Sequence, residues 1–475
     1  MKGTLGISRA RYWLFLAVLL AFSGIQLTVA AEAPQYKIEP CCELCPETQL
    51  ESTYAGGLGE FNKLIAGQDG WLFRTKTELL TQMRTSPEGY AQLRQLRDAL
   101  KEKSVELMVV YVPTRGMANV QMLTPAVRQG FDFELAKRNY LEVVENLRKQ
   151  GIRVPDLTPL LAQPASAEKP LFFKRDHHWT AYGAEFTARL VAEELRKSEV
   201  FKSIPRKEFV TQSKGVGMKL GTLNGALNKI CGYRYASQYL PRFSTEPKEE
   251  SADLFGEVEA PAVVLAGTSF GSPQFNFDGF IEQYANVDVD NRSVSGGGMP
   301  GAIVQYLSSQ DFKTHPPKIL IWEVQSYYDL AMPVLYRQLL PILANGCDNR
   351  AVTLSQKVVL HPGTNQILVN AEVKSILNDH YIADIQFNKP EIKELQSTLW
   401  YMNGSKENLR ITRSREVEAD GHFVFRLNDG ITPAGRTLLS LEVELPQELP
   451  AGLEVLTKIC PRADKARSEL HAAAN

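Results

Sequence analysis

At 475 residues the chain has room for two or three domains and a sizeable core. Its 44% hydrophobic and 23% charged residues are those of an ordinary globular protein. The 53 basic and 54 acidic side chains nearly cancel, and a formal net charge of −1 argues against a dedicated nucleic-acid binder.

Lys2, Arg9 and Arg11 precede an apolar run over residues 12–27, and Thr28, Val29, Ala30 and Ala31 follow it. This three-part pattern predicts a secretory signal peptide over residues 1–31, cleaved after Ala30 or Ala31. The alternative, an uncleaved membrane anchor, calls for a longer run without a cleavage-like end. Export changes how the six cysteines read, because in an oxidising compartment they are disulfide candidates before they are metal ligands. Cys347 and Cys460 bracket the C-terminal region and could lock its first and last segments together. Cys231 would then pair with one of Cys41, Cys42 and Cys45, a connectivity that the sequence leaves open.

In chain order, residues 32–60 are polar and read as irregular. Gly67, Gly70, Trp71, Leu72 and Phe73 predict a turn feeding a short aromatic strand. Ser86 and Pro87 predict a helix start, with Leu93, Leu96 and Leu100 on its apolar face. Residues 105–112 form a continuous apolar run, suited to a strand covered on both faces. A second helix is expected over 134–150, a short strand over 152–154, and a third helix over 181–197 capped by Thr180. Residues 198–258 carry no clear period and read as an irregular insertion. Residues 261–266 and 319–324 restore buried strands, with a helix near 302–307 between them. Strands alternating with helices predict a parallel α/β sheet over 32–345. Beyond residue 345 short strands are expected at 352–354, 357–360, 367–369, 381–387, 409–412, 423–427, 438–443 and 453–459, an all-β sandwich over 346–475.

Two stretches carry chemistry. Asp176 stands two residues before His178, where its carboxylate can accept from the imidazole Nδ1–H and leave Nε2 free to take a proton. Gly267, Thr268 and Ser269 follow a buried strand, where a serine hydroxyl can be held exposed at the ligand-binding edge of an α/β sheet. Together they suggest Ser269 as nucleophile, His178 as general base and acid, and Asp176 as the group that orients the imidazole. The backbone N–H of Ser269 and the loop Ser295, Gly296, Gly297, Gly298 and Met299 are candidate oxyanion donors. The plainer reading of that loop is a turn before the next helix. A zinc site at His177 and His178 is disfavoured, since adjacent side chains diverge. In the β region, Trp400 and Tyr401 lie among Lys393, Lys406, Arg410, Arg413 and Arg415. Either they form a groove for an acidic polysaccharide or Trp400 is a core residue beside a solvated charged face.

Taken in order, Gly67, Gly70, Trp71, Leu72 and Phe73, then Pro113, Thr114 and Arg115, then Asp176 to Trp179, then Gly267 to Phe270, resemble the alginate O-acetyltransferase group related to SGNH hydrolases. In that group the Asp and His precede the Ser, so the hydrolase fold is circularly permuted. The resemblance implies a periplasmic enzyme that O-acetylates mannuronate residues of alginate, with a β-sandwich carbohydrate-binding domain in which Thr398, Trp400 and Lys406 line the groove. Gln396 stands where the group favours a base. Membrane-bound acetylation proteins as the acetyl source, and a periplasmic scaffold and export complex, are the implied partners. No nucleotide or metal cofactor is implied. A carbohydrate esterase with the same three residues, and a non-catalytic polysaccharide-binding scaffold, are the rival expectations.

Overall fold

The computed structural model describes residues 43–162, 168–248 and 261–462. The expected leader at 1–31 and both Cys41 and Cys42 lie outside them. Short 3-10 turns run from Pro46 to Phe61, and then β1 (Leu64–Ala66) and β2 (Leu72–Arg74) pair antiparallel about the Gly67 to Gly70 turn. Helix α1 (Pro87–Glu102) starts where Ser86 accepts a hydrogen bond from the Gly89 N–H, with Pro87 at its first position and Leu93, Leu96 and Leu100 buried. β3 (Glu106–Val112) and α2 (Phe133–Lys149) follow. Residues 152–154 do not form the expected strand; they contribute one parallel bridge, Arg153 to Met108. Helix α3 (Ala181–Leu195) is capped by Thr180, whose side chain accepts from the Tyr182 and Gly183 N–H groups.

The largest departure from the sequence expectation lies in 198–258. There β4 (Phe209–Lys219) and β5 (Gln238–Pro247) make a long antiparallel ribbon, and α4 (Thr222–Cys231) connects them. The ribbon stands mostly in solvent, so β4 has no buried face to impose a hydrophobic period on its residues.

β6 (Val263–Ala266), α5 (Phe277–Ala285), β7 (Val289–Asn291), α6 (Gly298–Ser308), β8 (Ile319–Gln325) and α7 (Pro333–Leu343) complete the first domain. Its sheet is parallel, in the order β3-β8-β6-β7. Every residue of β6 and β8 is buried, which is why these strands read as unbroken apolar runs.

The C-terminal strands are β9 (Leu354–Val359), β10 (Gly363–Val369), β11 (Tyr381–Phe387), β12 (Glu394–Tyr401), β13 (Lys406–Thr412), β14 (His422–Arg426), β15 (Leu438–Leu445) and β16 (Glu454–Pro461). They form two antiparallel sheets, β10-β15-β12-β13 and β14-β11-β16-β9. The two strands expected at 352–354 and 357–360 are one strand, β9. β12 carries Trp400 but was not expected as a strand, because its polar face interrupts the apolar run. Ile367, Ile385, Leu399, Tyr401, Phe423 and Leu441 lie in the core between the sheets. Helix α7 joins the two domains: Arg337, 4% exposed, donates from Nε to the Arg426 carbonyl at 2.5 Å and from a terminal nitrogen to the Leu427 carbonyl at 2.6 Å, and pairs with Glu407.

Cys45 is bonded to Cys231 and Cys347 to Cys460, with Cα atoms 5.8 and 5.7 Å apart. The first bond ties the N-terminal segment to the end of α4, and the second joins the entry and exit of the sandwich. Among the described residues no helix is long and apolar enough to cross a membrane.

Candidate active site

Residues 172–179 fold back on themselves. Phe172 and Trp179 form an antiparallel bridge, Phe173 N–H donates to the His178 carbonyl at 3.2 Å, and Thr180 N–H donates to Leu171 at 2.9 Å. Asp176 and His178 occupy the tip of this loop. The fully buried Trp179 anchors it by donating Nε1–H to the Phe270 carbonyl at 3.0 Å, so the loop bearing the imidazole is bonded directly to the turn bearing Ser269. That turn is a single 3-10 turn, Ser269–Gly271, just past the C-terminal end of β6, with Thr268 as its cap.

The three side chains meet. His178 Nε2 lies 2.7 Å from Ser269 Oγ, and its Nδ1 lies 2.5 Å from Asp176 Oδ1. Asp176 Oδ1 also accepts the His178 backbone N–H at 3.0 Å, which locks the carboxylate to the ring it faces. The ribbon insertion supplies the other half of the carboxylate's environment. Thr222 N–H, at the start of α4, donates to Oδ2 at 2.9 Å, and the Lys219 ammonium stands 3.7 Å from the same oxygen. A helix N-terminus favours negative charge there. Burial works to raise the Asp176 pKa, but the hydrogen bond and charge of His178, with His177 and Lys219, hold it below the ordinary carboxylate range.

His177 packs against His178 with the rings tilted by 32° and their centroids 3.9 Å apart, and its Nδ1 lies 2.7 Å from Thr222 Oγ1. Burial, and then the neighbouring His178, hold His177 well below its usual pKa, so it stays neutral. Asp176, His177 and His178 offer ligand atoms within 4.8 Å of one another. Hydrogen bonds already engage both carboxylate oxygens and both Nδ1 atoms, an arrangement suited to moving a proton from Ser269 to Nε2.

The glycine loop after β7 leads straight into α6. Gly297 N–H donates to the Val294 carbonyl at 3.0 Å, and Gly296 packs against the Glu416 carboxyl of the sandwich.

In the sandwich, strand register puts Gln396, Thr398 and Trp400 of β12 on one face, opposite Arg410, Asn408 and Lys406 of β13. Trp400 is half-buried; its Nε1–H donates to Glu442 at 2.8 Å and the Lys406 ammonium stands 5.1 Å from its ring centroid. Thr398 Oγ1 donates to Asn408 at 3.2 Å. The core aromatic of the pair is Tyr401, fully buried, so the reading of Trp400 as a core residue does not hold. Of the other bases, Lys393 and Arg413 bond backbone carbonyls instead of joining this face.

A family model described as an SGNH hydrolase-like domain, acetyltransferase AlgX, matches residues 64–326, and one for a C-terminal carbohydrate-binding module matches 346–473. The chain is similar to the alginate biosynthesis protein AlgX of Pseudomonas aeruginosa, 44% identical over 450 residues that cover 94% of each chain. The solved structure of P. aeruginosa AlgX matches with a TM-score of 0.81 at 44% identity, covering 88% of this chain and 99% of that one. A more distant likeness, 26% identity over 287 residues, covers 56% of this chain and 70% of the probable alginate O-acetylase AlgJ of P. aeruginosa.

Proposed function

The chain belongs to the AlgX family, and on that premise we propose that it is an O-acetyltransferase of alginate biosynthesis working through an acetyl-Ser269 intermediate. The observation that carries this reading is the unbroken hydrogen-bonded run from Asp176 through His178 to Ser269. Ser269 Oγ attacks the acetyl carbon of a donor ester while His178 Nε2 takes the hydroxyl proton. The tetrahedral oxyanion collapses, the donor's alkoxide leaves with the proton from Nε2, and acetyl-Ser269 remains. A hydroxyl of a mannuronate residue then attacks the acetyl carbon, gives its proton to Nε2, and Ser269 leaves with that proton restored. Asp176 holds the tautomer with Nδ1 protonated and offsets the imidazolium charge in both halves. Loss of one member of such a set costs roughly 10³- to 10⁶-fold in turnover.

The sandwich supplies the grip on the acceptor, through Thr398, Trp400 and Lys406. Acetyl donation comes from membrane-bound acetylation proteins, and the acetylated polymer passes to a periplasmic scaffold and export complex. A periplasmic location fits the two disulfides, which persist in oxidising compartments.

The test is to expose the full chain to an activated acetyl ester and locate the adduct by peptide mass. Acetylation is expected on the peptide holding Ser269 and absent from Ser269→Ala; a Ser269→Ala protein that labels and turns over as the parent does overturns the reading. Adding mannuronate oligosaccharide is expected to move the acetyl group to the sugar, whereas release of free acetate alone points to an esterase.

A further inference from the structure

A fully buried carboxylic acid lies beneath the Ser269 turn without touching any of the three groups that move the proton. Glu323 sits near the end of β8 and is 0% exposed. Its Oε2 accepts the Thr268 backbone N–H at 2.8 Å and the Thr268 hydroxyl at 2.9 Å. Gln325 Nε2 donates to Thr268 Oγ1 at 2.9 Å and also contacts the other carboxyl oxygen. Thr268 Oγ1 in turn caps the turn by accepting the Phe270 N–H at 3.3 Å. A side chain at Gly267 would bring its Cβ to 2.9 Å from both Glu323 Oε2 and Ser293 Oγ, so the carboxyl is one of two groups packed against the glycine that opens the turn.

Such burial is costly for an acid unless hydrogen bonds offset it. Burial pushes the Glu323 pKa up to about 7 against the pull of the Thr268 bonds. Three residues are thereby held around the nucleophile: Gly267 by contact, Thr268 through backbone and hydroxyl, and Phe270 through the cap. Ser269 stands between fixed neighbours. Its Oγ must fall within hydrogen-bond reach of His178, and a shift of about 1 Å is enough to cost 10²-fold in rate.

We propose that Glu323 is a positioning residue for the nucleophile, acting through Thr268 to set the direction of Ser269 toward His178. This inference rests on the acetyl-Ser269 reading above. It assigns Glu323 no contact with donor or acceptor.

The test follows acylation of the full chain by p-nitrophenyl acetate in Glu323→Met, Glu323→Gln, Thr268→Val, Thr268→Ser and the Glu323→Met/Thr268→Val double variant, with thermal melting of each. Glu323→Met and Thr268→Val are each expected to slow the acylation rate constant by about 10- to 100-fold with KM within about twofold. The double variant is expected to be no slower than the worse single one, since both break one device. Glu323→Gln and Thr268→Ser, which keep an acceptor oxygen and a hydroxyl, are expected to recover to within about fivefold. Full acylation in Glu323→Met, a loss confined to KM, or losses that multiply in the double variant overturn the inference. Should Glu323→Met not fold, the contrast of Thr268→Val with Thr268→Ser decides alone. Ser269→Ala run in parallel separates the two levels: if it acylates normally the acetyl-serine reading fails, and if only the parent and Glu323→Met acylate alike the positioning role fails by itself.

Discussion

Asp176 and Glu323 are both buried beside the same turn, yet their charges are driven in opposite directions. Asp176 meets an imidazole, a helix N-terminus and a lysine, and its carboxylate is held in the ionised form. Glu323 meets a hydroxyl and two amide groups, and loss of solvation wins, raising it from an ordinary value of 4.5 to about 7. The linkage signs are opposite too. Asp176, depressed in the fold, stabilises above its ordinary pKa, and that contribution disappears as the pH falls through the folded value. Glu323, raised in the fold, stabilises fully below 4.5, and its contribution is lost as the pH rises through about 7. Glu323→Gln is therefore expected to flatten the slope of stability between pH 4.5 and 7, by up to about 3 kcal/mol across the window, read as denaturant midpoint against pH. Asp176→Asn is expected to keep the fold near neutral pH and lower acylation roughly 10⁴-fold, the size of a wrong-tautomer effect.

Residue by residue, legibility followed locality. Asp176 and His178 can be read together because two positions separate them, and a strand followed by Gly267, Thr268 and Ser269 announces an exposed hydroxyl. Thr222 and Lys219 could not be read, since they reach the carboxylate only after 40-odd residues of ribbon and helix have folded back. Glu323 did leave a trace: an acid inside the run Ile319 to Val324 is out of place in a strand covered on both faces, and calls for a buried partner.

Among elements, α3 and the ribbon are fitted to the site through two glycines. Gly183 lies in the first turn of α3, and a Cβ there would fall 2.1 Å from the Leu171 carbonyl oxygen, at the base of the loop carrying His178. Helix propensity alone favours Gly→Ala by about 1 kcal/mol, but the clash with fixed backbone outweighs it. Gly183→Ala is expected to cost about 1–3 kcal/mol by denaturant titration. Gly221, at φ +93°, is held by strain and contact together, its missing Cβ lying 2.1 Å from the Arg175 carbonyl oxygen. On the sandwich, β12 presents Trp400 with Lys406 against its ring and Glu442 at its edge. Trp400→Ala is expected to weaken binding of polymannuronate oligosaccharides about tenfold by calorimetry. Lys406→Gln is expected to leave the fold intact and to reduce the salt dependence of that binding, since an exposed cation meeting a carboxylate is screened. Most β strands with a buried alternate face were legible, β12 being the exception because its exposed positions are polar. The ribbon, wet on most positions, was not.

At the scale of the whole molecule, the two domains are joined by packing as well as by chain. Ile382 and Val424 of the sandwich lie in one continuous apolar core with the α/β domain, and Arg337 of α7 spends its guanidinium on carbonyls and a carboxylate of the sandwich. Arg337→Met takes the guanidinium from those carbonyls and from Glu407, though the Tyr401 hydroxyl still reaches Leu427 and Glu407, and Arg436 still pairs with Glu407. It is expected to cost about 3–5 kcal/mol and to split a single thermal transition into two by calorimetry. The division into a parallel α/β part and a strand-rich part was readable from the change in period near residue 345. The side chain that fastens them was not, because an arginine in a helix gives no sign of which carbonyls it will meet.

The clasp between Cys347 and Cys460 makes a closed hoop of the sandwich, its ends 113 positions apart in the chain. The bend at Ile431, 67% exposed, is the kind of place a protease cuts, and it lies inside the hoop. A cut there opens the hoop without freeing either piece: both fragments travel as one particle on a non-reducing gel and separate once a thiol reductant is added. Damage from outside is thus retained in place, and the sandwich is surrendered as a unit or not at all.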